Sequence, residues 1–95
     1  MSDSMKYTLR KLCTDISDFE AHPHERFEVD LDCLERRLKE EGVADTVLKG
    51  PMLMALFESI ETVARVFPSG RMLIQANLRE DAMKTCEIVY RLISI

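Results

Sequence analysis

Three cysteines, two histidines and a run of carboxylates are the side chains here whose types could support chemistry, so their spacing decides the first question. Cys13, Cys33 and Cys86 are odd in number and far apart. Neither a C-x-x-C redox pair nor a zinc-ligand spacing occurs, and His22 and His24 flank Pro23 outside any such pattern. A catalytic thiol needs a nearby base and an electropositive setting. Cys33 and Cys86 instead fall on expected helices beside apolar neighbours, where cysteine serves as a small core residue. Free thiols in a reducing cytosol are the expectation. Within residues 15–32 seven acids (Asp15, Asp18, Glu20, Glu25, Glu28, Asp30 and Asp32) face only Arg26. No D-x-D-x-D-G calcium loop organises them, so they read as a solvated surface, with Asp30 and Asp32 favourably placed at a helix N-terminus. No P-loop, dinucleotide fingerprint, paired-carboxylate signature or nucleophile–base pair is present. The expectation is a non-enzymatic protein with no metal and no cofactor.

The elements that must position any surface site are best read from the C-terminus. Asn77-Leu78-Arg79-Glu80 has the form of a capping box, and Ala82, Cys86, Val89 and Ile93 then recur as one helical stripe. Leu78, Met83 and Tyr90 widen the stripe, which predicts a helix over 78–93. Before it, strands are predicted over 61–67 and 71–76, joined by Pro68-Ser69-Gly70. Proline presets one turn dihedral and glycine accepts a positive φ. Upstream, 52–57 is a continuous apolar strand, Glu58-Ser59 a turn, and 44–48 a short edge strand. A helix over 31–41 carries Leu31, Leu34 and Leu38 on its buried stripe, capped by Asp30 and ended by Gly42. Residues 5–20 fit either period, and a strand over about 9–20 is preferred because the sheet downstream needs another member. The order is β-α-β-β-β-β-α: an α+β, two-layer fold with an antiparallel sheet of about five strands and two helices on one face.

Ninety-five residues suit one domain, taken as 1–95. With 46% hydrophobic and 32% charged residues the chain is too apolar for disorder. No apolar run approaches the ~18–20 residues that span a bilayer, and the N-terminus lacks a secretory apolar region. A cytoplasmic protein without membrane contact is expected. The net charge of −4 removes a globally basic surface, the simplest argument for nucleic acid. The acidic excess is local: residues 1–49 hold twelve acids and eight bases, and 50–95 hold five of each.

At the hairpin the chain resembles a known family. Phe67-Pro68-Ser69-Gly70-Arg71-Met72-Leu73-Ile74, followed by a helix containing Asp81-Ala82, is similar to one repeat of the TATA-box-binding protein. The Asp30-Leu31-Asp32 entrance to the first helix also resembles that repeat, and the element order matches over roughly 19–93. The resemblance implies the fold more than the function, because domains of this fold serve several activities. It implies that Phe67 occupies the position of a DNA-intercalating phenylalanine. The departures are specific. The family fuses two repeats into a saddle and this chain holds one. The second wedge position is Gly50-Pro51, a leucine is replaced by Arg65, a groove-facing Val-x-Thr becomes Leu73 and Gln75, and Gly-Ala-Lys becomes Ala76-Asn77-Leu78, which loses a base.

Strand alternation assigns the two faces. Ala64, Val66, Met72 and Ile74 should point to the helices, and Val63, Arg65, Phe67, Leu73 and Gln75 away from them. An outer face that is half apolar, with 51–57 apolar on both sides, is covered by the N-terminal segment or by a partner, or else carries only scattered exposed apolar residues without a role. The candidate binding residues are therefore Val63, Arg65, Phe67, Arg71, Leu73 and Gln75. The expected partner is a second copy of the chain, two copies standing in for the two-repeat saddle, or another protein. Nucleic acid on the same face is the alternative, disfavoured by net charge.

Overall fold

The fold is described from a computed structural model, which describes residues 6–12, 18–25 and 28–93. One open antiparallel sheet runs in the order β1-β2-β6-β5-β4-β3. Its strands are β1 (Tyr7–Lys11), β2 (Asp18–Pro23), β3 (Asp45–Lys49), β4 (Met52–Phe57), β5 (Thr62–Val66) and β6 (Met72–Gln75). Helices α1 (Leu31–Glu41) and α2 (Arg79–Ile93) cover one face, so the molecule is an α+β two-layer fold. Helix α1 lies over β3 and β4, and α2 over β2, β5 and β6.

The expected single strand over 9–20 is replaced by two, giving six strands in the order β-β-α-β-β-β-β-α. Pairing explains the correction. The neighbour in the sheet is β6, only four residues long, so one strand of twelve would leave much of its backbone unpaired, whereas a hairpin pairs both halves. The chain turns back instead. Leu12 N–H donates to the Asp18 carbonyl at 3.0 Å, and β1 pairs with β2 from Tyr7–Pro23 to Lys11–Phe19. Thr14 and Ile16, which contributed to the strand reading, lie outside the described residues. This hairpin extends the sheet beside β6, so it does not fold over the outer face as one reading of the N-terminal segment required.

Helix α1 follows its sequence signals. Asp30 Oδ1 accepts from Cys33 N–H at 3.1 Å, Leu31, Leu34 and Leu38 are buried, and Gly42 N–H closes the last turn on the Leu38 and Lys39 carbonyls. Helix α2 departs in its first turn. It begins at Arg79, so the cap position falls on Leu78, whose carbonyl accepts from Asp81 and Ala82. Asn77 is thereby one residue too early to cap, and the expected Asn77–Glu80 box does not form. Glu80 and Asp81 still meet the positive end of the helix dipole. Ala82, Cys86, Val89 and Tyr90 are buried as the stripe predicts, but Leu78 and Met83 are exposed and do not widen it. Buried Thr85 and Leu92 do so instead.

The inner faces of the strands complete the core. Leu53, Ala55 and Phe57 of β4, Ala64 and Val66 of β5, and Met72 and Ile74 of β6 are all buried. The small pair Ala55–Ala64 sits directly across β4 and β5, and both residues are fully buried. Among the described residues two buried polar ties cross the layers. Thr62 and Thr85 share a buried hydroxyl contact of 2.7 Å, and Tyr90 Oη donates to the Gly70 carbonyl at 2.8 Å. Gly70 has φ 89°, which a side chain would strain, and it closes the Pro68-Ser69-Gly70 turn.

Candidate functional site

The pleat places every predicted binding residue on the face away from the helices. Across the middle of that face the cross-strand order is Arg10, Glu20, Leu73, Arg65, Met54 and Val47. Val63 lies beside Gln75 and Leu56 in one flanking row. Phe67 and Arg71 share the other, with Phe67 N–H donating to the Arg71 carbonyl at 3.0 Å. Val63, Arg65, Phe67, Arg71 and Leu73 are half-buried and Gln75 is exposed. None of the described elements covers them.

The candidate residues read from the sequence omit the half of this face contributed by β3 and β4, although the run 51–57 reads there as apolar on both sides. Val47 and Leu56 are 49% and 40% exposed, and Met52 and Met54 are half-buried beside them. With Val63, Phe67 and Leu73 they form a continuous apolar strip over β3, β4, β5 and β6. The signal was present in the unbroken apolar run of 52–57, whose alternate residues had to face outward. Methionine suits such a surface because its unbranched side chain adapts to different partners.

Among the described residues three guanidinium groups reach the same face, and they are not equivalent. Glu20, placed within the acidic stretch and read as solvated, is only 6% exposed. Its Oε2 accepts from Arg71 Nε at 2.7 Å and lies 3.3 Å from His22 Nε2, and its Oε1 lies 3.3 Å from the Arg10 guanidinium. The hydrogen bond from Arg71 is the main reason that the Glu20 carboxyl titrates below its usual range. The Arg71 guanidinium also stands 5.4 Å from the centre of the Phe67 ring, a cation–π arrangement that partly occupies the ring. Arg65 differs. It lies between Met54 and Leu73, and it has no carboxylate partner among the described residues.

The remaining chemical candidates are placed elsewhere. Cys86 is fully buried in the core, and burial pushes its thiol up to about 12, far from a reactive thiolate. Cys33 is half-exposed on α1, and Cys13 lies outside the described residues. His24 Nε2 is 2.8 Å from Thr8 Oγ1, and no group of three metal-ligating side chains gathers among the described residues. No helix among the described residues is long and apolar enough to cross a membrane. No protein-family model matches the chain, and no curated protein matches it in sequence.

Proposed function

We propose that this chain is a small, non-enzymatic, cytoplasmic interaction domain that associates with protein, a second copy of itself or another chain, through the outer face of its sheet. One observation carries the reading: an apolar strip from Val47 to Leu73 that no described element covers, with the Arg65 guanidinium set inside it and no carboxylate partner for it among the described residues. Apolar area supplies the affinity of such contacts, and a half-buried arginine among apolar neighbours supplies orientation by meeting a partner carboxylate. Phe67 and Leu73 form the end of the strip nearest the Pro68-Ser69-Gly70 turn.

Nucleic acid on the same face is the second reading, favoured by the resemblance to a repeat of the TATA-box-binding protein and by Phe67, Arg65, Arg71 and Gln75. Polyanion binding draws on several phosphate contacts. Arg10 and Arg71 are already engaged by Glu20, which among the described residues leaves Arg65 as the unengaged guanidinium of this face.

Sedimentation of the purified chain over a wide concentration range separates the two. The expected result is self-association that Phe67→Ala and Leu73→Ala each weaken about tenfold, since truncating an interface anchor commonly costs more than ~1 kcal/mol, with little dependence on salt. Association untouched by both substitutions, together with duplex DNA binding that falls steeply with salt and is lost in Arg65→Ala, would replace protein by nucleic acid.

A further inference from the structure

Among the described residues the sheet is open, with β1 and β3 as its two unpaired edges. Natural sheets blunt such edges with charge, most often lysine. Strand β1 is blunted in that way, since Lys6, Arg10 and Lys11 make its neighbourhood basic without an acid in the strand. Strand β3 has a different arrangement. Its sequence is Asp45-Thr46-Val47-Leu48-Lys49, with one acid and one base at equal distances from a central valine.

We infer that β3 is a self-pairing edge through which two copies of this chain join their sheets around a two-fold axis at Val47. Antiparallel pairing about Val47 sets Asp45 of each copy opposite Lys49 of the other, Val47 opposite Val47, and Thr46 opposite Leu48. The strand is thus complementary to itself in charge, which β1 is not. Asp45, Val47 and Lys49 are all exposed on the outer face, free to make these contacts. Thr46 and Leu48 point inward, and Thr46 Oγ1 donates to Glu35 on α1 at 3.1 Å.

The backbone agrees with this register. Gly50 and Pro51 form a two-residue turn between Lys49 and Met52, with Gly50 at φ 54° as a type II′ turn requires of its first central residue. A two-residue turn is closed by a hydrogen-bonded pair, so Lys49, Val47 and Asp45 direct their backbone groups toward β4. Alternation turns the N–H and C=O groups of Thr46 and Leu48 to the free edge. In the two-fold register these residues face each other and exchange main-chain hydrogen bonds. Val47–Val47 and Asp45–Lys49 then fall at the non-hydrogen-bonded positions, where opposing side chains come closest. Joining the edges would also make the two apolar strips continuous across the axis, because Val47 is the outermost member of each strip.

The occupant is a second copy, and the inference stands apart from the outer-face reading. Charge reversal tests it by sedimentation with folding checked by circular dichroism, and the exposed positions of Asp45 and Lys49 leave the core untouched. Asp45→Lys alone or Lys49→Asp alone should weaken dimerisation about tenfold to a hundredfold, because each change makes both symmetry-related pairs repulsive. The double reversal, Asp45→Lys with Lys49→Asp, should restore it. A wild-type chain that stays monomeric, or single reversals with no effect on a dimer, would overturn the inference. If Phe67→Ala dissociates the chain while the reversals do nothing, the face reading stands and the edge falls. If the reversals act and Phe67→Ala does not, the edge stands and self-association through the face falls.

Discussion

The buried pair Thr62–Thr85 makes a prediction whose sign depends on which hydroxyl donates. Thr85 Oγ1 donates its one proton to the Asp81 carbonyl at 3.0 Å, so the 2.7 Å contact must be donated by Thr62. The proton path therefore runs from β5 into α2: Thr62 to Thr85 to the Asp81 carbonyl. Both residues are fully buried. Thr85→Val keeps the branched shape but strands the Thr62 proton in the core, a loss of ~1–3 kcal/mol. Thr62→Val is milder, at ~0.5–1.5 kcal/mol, because Thr85 keeps its bond to the carbonyl. Replacing both leaves no hydroxyl unpaired, so the double variant should lie within about 1 kcal/mol of the wild type, more stable than Thr85→Val alone. Urea unfolding at neutral pH with a common slope of ~1–3 kcal/mol per molar reads these differences as midpoint shifts approaching ~1 M. Single-variant losses that simply add in the double variant, within ~0.5 kcal/mol, would refute the donor assignment.

Other outcomes follow from the core and from the shifted groups. Leu34→Ala removes a 2%-exposed side chain from beneath α1 and should cost ~2–5 kcal/mol, lowering the melting temperature by ~10 °C or more; a loss below ~1 kcal/mol would mean that the site collapses fully. The Glu20 carboxyl is lowered by Arg71, so its stabilisation is present above the unfolded-state value and is lost as pH falls through the lower folded one. Glu20→Gln should accordingly flatten the acid limb of a stability–pH curve. Burial raises Cys86 from 9.0 to about 12, so its contribution is full below pH 9 and is lost as pH climbs toward the folded value. Tyr7 and Tyr90 are raised by burial in the same sense, and urea midpoints should fall progressively on the alkaline side.

What could be read from the sequence was whatever is local in the chain. The cap at Asp30 and the stop at Gly42 lie within a few residues of the stripe that they bound, and α1 matches its expected limits. The faces of β5 and β6 were equally legible, because alternation and one Pro-Ser-Gly turn determine both. The β1–β2 hairpin was not, since residues 5–20 satisfy two periods at once and only the pairing of β2 with both β1 and the short β6 shows where the chain turns back. The capping box failed by a single position, a shift that Asn77 and Glu80 do not encode by themselves. Glu20 was illegible for a different reason. Its partners Arg10 and Arg71 are ten and fifty-one residues away in the chain, and only the register of β1, β2 and β6 brings the three together.

Glu20 also determines how the acidic excess of the N-terminal half bears on the outer face. Taken as a solvated charge it would repel a polyanion from a distance, an effect that salt screens within ~10 Å. Buried among Arg10, His22 and Arg71, it acts at contact range. A phosphate that claimed either guanidinium would weaken the Glu20 pairing, and taking one partner from a buried ion pair costs ~3–5 kcal/mol when the remaining charge is fully enclosed. The exposed flank of this cluster reduces that figure, since the Arg10 side chain is 69% and the Arg71 side chain 39% accessible. The direction does not change: each phosphate contact made here begins with a debt to Glu20. An apolar protein surface meets no such competition, because it covers Met54, Leu56 and Leu73 and leaves the Glu20 cluster intact at its rim. The same carboxylate that engages Arg10 and Arg71 leaves Arg65 without a carboxylate partner among the described residues, and under the proposed protein-binding reading a single carboxylate on a partner would suffice to meet it.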